Sequence, residues 1–350
     1  MMCLHTVRQA HGEQVAVLMP TYNGSRFVES QLRSLRENST PFTLHWLDDH
    51  SSDNTRDVVR LAARSWGITV KEWHQNDRQG IPGAFFQLLE CVEADIYLFC
   101  DQDDIWQAGK IDATVRDLLP DSNSPVLCFS DPFVFTDDKP AVLHRLSDIT
   151  SVKGPEALRR WGMFLICPAI GHTIGFTRPL RDIFLEHKDI ARRYAAGQDT
   201  WMYLLAAATG TCRFLGDAPT TLYRLHGGNA YGSYFRMVGW RSLMNTAKRW
   251  RLQQALRRWV SRQAQGFCLA ANTLPPGPEL DRMLGLAALV LKVDRRQSPA
   301  ALLRLARRDA LPPGTDFALW FAATCLSTNA NTRAQQVAFE PSPRPRSFNS

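Results

Sequence analysis

The strongest constraint on the fold is an alternation over the first hundred residues. Short apolar runs, VAVLM (15–19), TLHWL (43–47), ITVKEW (68–73) and IYLFC (96–100), are separated by helical patterns at 26–37, 53–65 and 82–93. The runs are rich in β-branched and aromatic residues, which suit strands, and a fifth, PVLCF, follows at 125–129. Strands joined by helices of this length imply βαβ units and a mostly parallel central sheet flanked by helices, a Rossmann-like α/β fold. Several runs are apolar on nearly every residue, as expected of strands buried on both faces.

Polar clusters follow three of these runs: PTYNGS after the first, DDHSSDNT after the second and DQDD after the fourth. In open α/β sheets ligands bind beyond the carboxyl ends of the strands, so the three clusters predict one shared crevice. Asp101, Asp103 and Asp104 fall within four positions. Two unit charges about 4 Å apart repel by roughly 4 kcal/mol at an effective dielectric near 20, so such a cluster calls for a cation or for hydrogen-bond donors. Helix capping by Asp104 would account for one acid, not three.

At 350 residues with 45% hydrophobic content, the chain can fill a core for one large domain with an appendage, or for two domains. Its eight cysteines are scattered, without CxxC pairs or a metal-ligand rhythm, and read as core thiols of a reducing compartment. The N-terminus lacks the apolar run of a signal peptide, and no stretch reaches the length of a spanning helix. A cytoplasmic protein is expected, peripheral on the inner face of the cell membrane at most. Of the net charge of +7, residues 236–310 carry +11, with 15 Lys and Arg against 4 Asp and Glu, which leaves −4 elsewhere.

Residues 236–262 hold eight basic and no acidic side chains, with Trp240, Trp250 and Trp259 interleaved. This basic helical segment could dock on an anionic membrane surface or pack its tryptophans on the main domain. Nucleic acid is not expected as a partner, because no nucleic-acid motif accompanies the charge. The last twenty residues, 331–350, have the composition of a flexible tail.

PTYNGSRFVESQLRSL, LDDHSSDNT, LFCDQDDIWQAGKI, QDTW and YRLHGGN occur in this order. Together they resemble the inverting family 2 glycosyltransferases of the GT-A fold, and within that family the bacterial rhamnosyltransferases of surface polysaccharide synthesis. The likeness spans residue 15 to about 230. It implies an N-terminal extension over 1–14, a GT-A domain over 15–235 and a helical C-terminal region over 236–330.

The resemblance also assigns roles. Asp101 and Asp103 match a DxD element that holds Mg2+ or Mn2+ on the diphosphate of a nucleotide sugar, with Asp101 also near the ribose and Gln102, between them, contacting the nucleotide sugar. His226 would complete the metal sphere or bond a phosphate oxygen, and Arg224 would partner phosphate. Pro20, Thr21, Tyr22 and Asn23 match the nucleotide-entry loop. Asp49 would accept from the pyrimidine ring N–H, favouring a UDP- or dTDP-sugar, and Gly80 would let the backbone approach the donor. His50 stands where the family often has glycine. Asp199 matches the catalytic base that removes the acceptor hydroxyl proton, opposite the leaving diphosphate; the residue before it is Gln198 where this branch usually has histidine. Asp104 would either position the loop or face the acceptor, and Trp106 and Trp201 would face the acceptor, a glycan or a lipid-linked sugar, although tryptophans at such spacing are as often core. A lone histidine such as His226, or an aspartate in a first helical turn such as Asp199, also has an ordinary structural role open to it.

QALRRW at 254–259 departs by one residue from the QxxRW of processive enzymes, and no spanning helix follows, so a single transfer per encounter is expected. A sugar-nucleotide nucleotidyltransferase would carry a glycine-rich loop after the first strand, which PTYNGS is not. A non-catalytic, membrane-docked glycan-binding protein would show neither donor hydrolysis nor transfer.

Overall fold

The computed structural model describes residues 13–137, 139–147, 167, 169–216, 218–226 and 246–294. The expected extension 1–14 is covered only from residue 13 on. The tail 331–350 and the GGN of YRLHGGN lie outside the described residues, as do the boundary at 235 and the segment 227–245.

The four leading runs become β1 (Glu13–Thr21), β2 (Thr43–Asp48), β3 (Val70–Trp73) and β4 (Ala94–Phe99). They alternate with α1 (Val28–Leu35), α2 (Thr55–Trp66) and α3 (Gly80–Cys91). After the short β5 (Ile105–Trp106) come α4 (Lys110–Leu118), β6 (Val126–Phe129), β7 (Phe133–Thr136) and β8 (Lys139–Arg145). Then follow β9 (Gly175–Thr177), α5 (Arg178–Glu186), α6 (Lys188–Tyr194), α7 (Gln198–Thr209), β10 (Thr211–Phe214) and β11 (Thr221–Arg224). A helical pair, α8 (Thr246–Ala270) and α9 (Pro278–Asp294), closes the described chain.

Seven strands form the central sheet in the order β10-β6-β9-β4-β1-β2-β3. Every pairing is parallel except those of β9, which runs antiparallel between β4 and β6. Side chains on β1 and β4 alternate between the two faces, as the period of two requires. Ala16, Leu18, Tyr97 and Phe99 join one core, and Val15, Val17, Met19, Ile96 and Leu98 join the other. Burial on both sides explains why these runs carry so few polar residues.

The first core is covered by α3, α5 and α7, and α8 and α9 belong to it too, through Val260, Ala264, Phe267, Met283 and Ala287. Close approach explains Gly266: a Cβ there would lie 2.3 Å from that of Tyr194. The C-terminal pair therefore shares the hydrophobic core of the sheet domain. Among the described residues no helix is long and apolar enough to cross a membrane.

A second sheet of four strands, β5-β11-β7-β8, stands beyond the end of β4. Its central strand β11 is antiparallel to β5 and parallel to β7. This sheet carries the YRLH residues back over the DQDD loop.

Candidate functional site

The loops after β1, β2 and β4 meet, as the strand-end rule predicts. Asp48 joins the first two: its carboxylate accepts from Thr21 Oγ1 at 3.1 Å, the Ser51 amide at 2.9 Å and Arg56 Nε at 2.7 Å. Burial works against this carboxylate, but the combined hydrogen bonds from Ser51, Arg56 and Thr21 outweigh it and hold its pKa below the usual range. Asn23 Oδ1 accepts from the Ser52 amide at 2.8 Å, and the Asn23 amide donates to Ser51 Oγ at 2.9 Å. Asn23 and His50 both take positive φ, 46° and 65°. The turn that glycine often fills in the family is thus kept by histidine in the left-handed region, at some conformational cost.

Pro20 and Thr21 are buried, and Tyr22 presents its ring at 37% exposure. The Arg78 guanidinium lies 3.6 Å from the centroid of that ring. Asp49 is enclosed, and its oxygens accept from the Gln79 amide at 2.8 Å, the Gly80 amide at 2.7 Å and the Gln75 side chain. The carboxylate assigned to the base thus also fastens the 75–80 loop. Gly80 takes a φ of +63°, which turns its N–H onto Asp49.

Gln102 uses both ends of its amide on the Tyr22 backbone: Oε1 accepts from the Tyr22 N–H at 2.9 Å and Nε2 donates to the Tyr22 carbonyl at 3.0 Å. This ties the acidic loop to the β1 loop. His226 Nε2 lies 2.7 Å from Asp103 Oδ2, and its ring stacks on Phe27 with centroids 4.5 Å apart. Among the described residues no donor meets the Asp101 carboxylate. Burial first, then the charges of Asp103 and Asp199, push its pKa up to about 8.

Asp199 sits in the first turn of α7, and its oxygens accept from the Thr200 amide at 2.6 Å and the Gly171 amide at 3.2 Å. Burial raises its pKa despite these bonds. Asp199 is near enough for its charge to be felt by Asp101, although 98 residues of chain separate the two.

Three acceptor-facing expectations are corrected. Trp106 and Trp201 are 2% and 0% exposed, so both tryptophans are core and present no face to a sugar. Asp104 is 0% exposed; its Oδ1 accepts the Arg224 amide N–H at 3.0 Å, and its Oδ2 lies 3.5 Å from His172 Nδ1. Arg224, expected on phosphate, has its guanidinium on the Asp103 carbonyl at 2.9 Å, on Asp137 and on Ser30 Oγ at 3.3 Å. Sequence reasoning passed over His172, Lys110 and Phe27. Lys110 carried a signal, since it precedes the Ile111, Thr114, Val115 and Leu118 stripe and shares the buried face of α4.

The donor set at the loop mouth, two carboxylates and an imidazole, suits a hard or borderline divalent cation. Among the described residues, the grouping whose ligand atoms all lie within 4.8 Å of one another is a different one, Asp101, Asp104 and His172. Carboxylate oxygens with an imidazole nitrogen are the kind of donors that fit Mg2+ or Mn2+.

Comparison with known proteins gives this arrangement its class. The model of the Glycosyl transferase family 2 matches residues 16–184, from β1 through α5. The chain carries a family 2 glycosyltransferase domain. The dTDP-rhamnosyl transferase RfbG of Shigella flexneri is 24% identical over 224 residues, covering 61% of this chain and 74% of the relative. The UDP-Glc:alpha-D-GlcNAc-diphosphoundecaprenol beta-1,3-glucosyltransferase WfgD of Escherichia coli is 30% identical over 112 residues, 31% of this chain and 43% of that one. Among solved structures the mannosyltransferase PcManGT of Pyrobaculum calidifontis, in complex with GDP-Man and Mn2+, superposes with a TM-score of 0.52 at 17% identity. That superposition covers 91% of this chain and 81% of the other, and the shared architecture is the GT-A fold.

Proposed function

We propose that this family 2 glycosyltransferase moves a single sugar from a UDP- or dTDP-sugar to a glycan or lipid-linked acceptor in bacterial surface polysaccharide synthesis, with inversion at the anomeric carbon. The observation that carries the proposal is the 2.7 Å contact of Asp103 with His226, together with Asp199 bound to the Gly171 amide beside His172, whose ring nitrogen lies within 4.8 Å of the Asp101 carboxylate. The likeness to a dTDP-rhamnosyl transferase favours L-rhamnose as the sugar.

In this reading Asp101, Asp103 and His226 hold Mg2+ or Mn2+, which when bound offsets the charge that grows on the leaving diphosphate. The β1 and β2 loops, clasped by Asp48 and Asn23, receive the nucleoside. Asp199 accepts the proton of the acceptor hydroxyl. Its Oδ2 is held by the Gly171 amide, which orients the carboxylate while burial makes it more basic than a surface aspartate. The basic segment 236–262 would bring the enzyme to an anionic membrane carrying the acceptor.

A panel of nucleotide sugars screened by thermal shift with Mn2+ tests the donor, because a bound donor raises the midpoint by mass action. Transfer or donor hydrolysis with and without Mn2+ then tests catalysis. A chain that binds no nucleotide sugar and turns none over contradicts the proposal.

A further inference from the structure

Phe27 stands in the β1 loop at the N-cap of α1, half-buried, and among the described residues it joins none of the hydrophobic cores. Its ring meets three polar planar groups instead. The His226 imidazole stacks on it with centroids 4.5 Å apart and planes 29° from parallel. The Arg26 and Arg224 guanidinium carbons lie 5.0 Å and 5.3 Å from its centroid. The face of a phenyl ring carries partial negative charge and attracts guanidinium groups and offset-stacked rings. That attraction, rather than burial in a core, accounts for what surrounds Phe27.

The groups around the ring are tied to one another. Asp137, just after β7, pairs with Arg26 at 3.0 Å and also with Arg224. Arg224 is 9% exposed; it donates from Nε to the Asp103 carbonyl at 2.9 Å and from Nη2 to Ser30 Oγ of α1 at 3.3 Å. α1, β11, the turn after β7 and the acidic loop therefore meet around one phenyl ring.

His226 lies two residues beyond the end of β11, with Nε2 2.7 Å from Asp103 Oδ2. A hydrogen bond at one nitrogen fixes where that atom lies and leaves the plane of the ring open. A stacked neighbour fixes the plane. We propose that Phe27 is a positioning residue: its face sets the plane of the His226 imidazole and keeps Nε2 against Asp103. The consequence for a cation, that Phe27 tunes the affinity for Mg2+ or Mn2+ through His226, rests on the proposed function; the placement of the imidazole does not.

One measurement needs neither metal nor nucleotide. Protons held over a phenyl face are shielded, so in the full chain labelled at histidine the His226 ring protons, assigned with His226→Ala, should resonate upfield of those in an unstructured peptide. Phe27→Leu should move them back downfield. His226 ring resonances at the same place in both proteins would overturn the proposal.

A second measurement follows Mn2+ binding by titration in the presence of UDP or dTDP. Leucine keeps much of the volume and loses the aromatic face, so Phe27→Leu should fold and bind Mn2+ about tenfold more weakly, the usual scale for groups that orient a metal ligand. Phe27→Tyr, which restores the face, should bind close to wild type. Unchanged binding in Phe27→Leu would overturn the proposal, as would a tyrosine variant as weak as the leucine one. His226→Ala separates positioning from general damage to the loop: in that background Phe27→Leu should have no further effect, because the ring it orients is gone. A second loss of the same size there would mean that Phe27 acts by another route, and would overturn the proposal too. Should Phe27→Leu not fold, Phe27→Met, whose unbranched chain adapts to irregular gaps, carries the same expectations. A wild-type chain that binds no Mn2+ with either nucleotide would count against the proposed function, and the His226 resonances would still decide whether Phe27 places the ring.

Discussion

His226 Nε2 lies 2.7 Å from Asp103 Oδ2, a contact made across 123 positions of sequence by the return of β11 over the DQDD loop. The pair gives a direct test of the proposed metal site. Asp103→Ala should abolish Mn2+-dependent binding of the donor, and His226→Ala should weaken it by about tenfold or more, both read by titrating Mn2+ against a fluorescent nucleotide sugar. Wild-type donor affinity in Asp103→Ala would remove that residue from the site.

Asp199→Asn should leave donor affinity nearly intact and reduce turnover by about a hundredfold to ten-thousandfold, the usual share of a positioned general base. A carboxylate acting as the proposed base works in its ionised form, and burial raises the Asp199 pKa, so activity should rise with pH along a limb lying above the ordinary aspartate value of 3.8. Retention of full activity, or the same acid limb in the asparagine variant, would exclude the assignment.

Asp101 makes the metal-free chain sensitive to pH in the opposite sense from a salt-bridged acid. Its folded pKa is raised from 3.8 to about 8, so below 3.8 it carries a proton in both states and has no effect. As pH rises from 3.8 to 8 the unfolded chain gives up that proton more readily, and folding stability falls; above 8 the loss is complete. Asp101→Asn should flatten this fall and raise the metal-free thermal midpoint at pH 8, while removing Mn2+ binding. A midpoint that falls as steeply with pH in the variant would sink this reading.

Trp201 separates packing from recognition. Fully enclosed between α7 and the C-terminal pair, with its ring 3.4 Å from where a Cβ on Gly266 would sit, it belongs to the core. Trp201→Ala should lose about 3–5 kcal/mol of stability. Trp201→Phe, which refills most of the volume, should leave the acceptor KM unchanged in an enzyme that still folds. A selective rise in acceptor KM would return Trp201 to the binding surface.

Particular residues show how far the sequence could be read. β1 to β4 and α1 to α3 were legible because each has its own periodicity and the parallel sheet buries both faces. The positions of Asp103 after β4 and of Asp199 in the first turn of α7 were legible from local pattern, while the roles given to them remain proposals. Trp106, Trp201 and Asp104 were misread for a common reason: composition tells what a side chain can contact, and only the packing of β5, α8 and β11 decides which side of the loop it lies on. β9 was hidden as well. Its three residues, Gly175–Thr177, are too few for a period, and they gain strand structure from β4 and β6 on either side. His172 gave no local sign, since GHT became significant only when Asp104 and Tyr223 were brought against it.

Gly24 and Gln102 meet where the β1 loop is joined to the acidic loop, and the join can be broken from either side. A Cβ on Gly24 would sit 2.1 Å from Gln102 Oε1, far inside contact distance. The obstructing atom is the end of a flexible side chain, so Gly24→Ala should fold, with Gln102 swung away and its two bonds to the Tyr22 backbone lost. Each exposed hydrogen bond is worth only about 0.5–1.5 kcal/mol, so the change in midpoint should be small. The larger effect should fall on the donor, because Tyr22 and the acidic loop no longer hold a common position. Gln102→Ala removes the same two bonds without touching Gly24, and the two variants should weaken donor binding to a similar degree. Their combination should weaken it no further, since both break one link. Additive losses in the double variant, measured by donor titration at fixed Mn2+, would show that Gly24 acts on the site by a route other than Gln102.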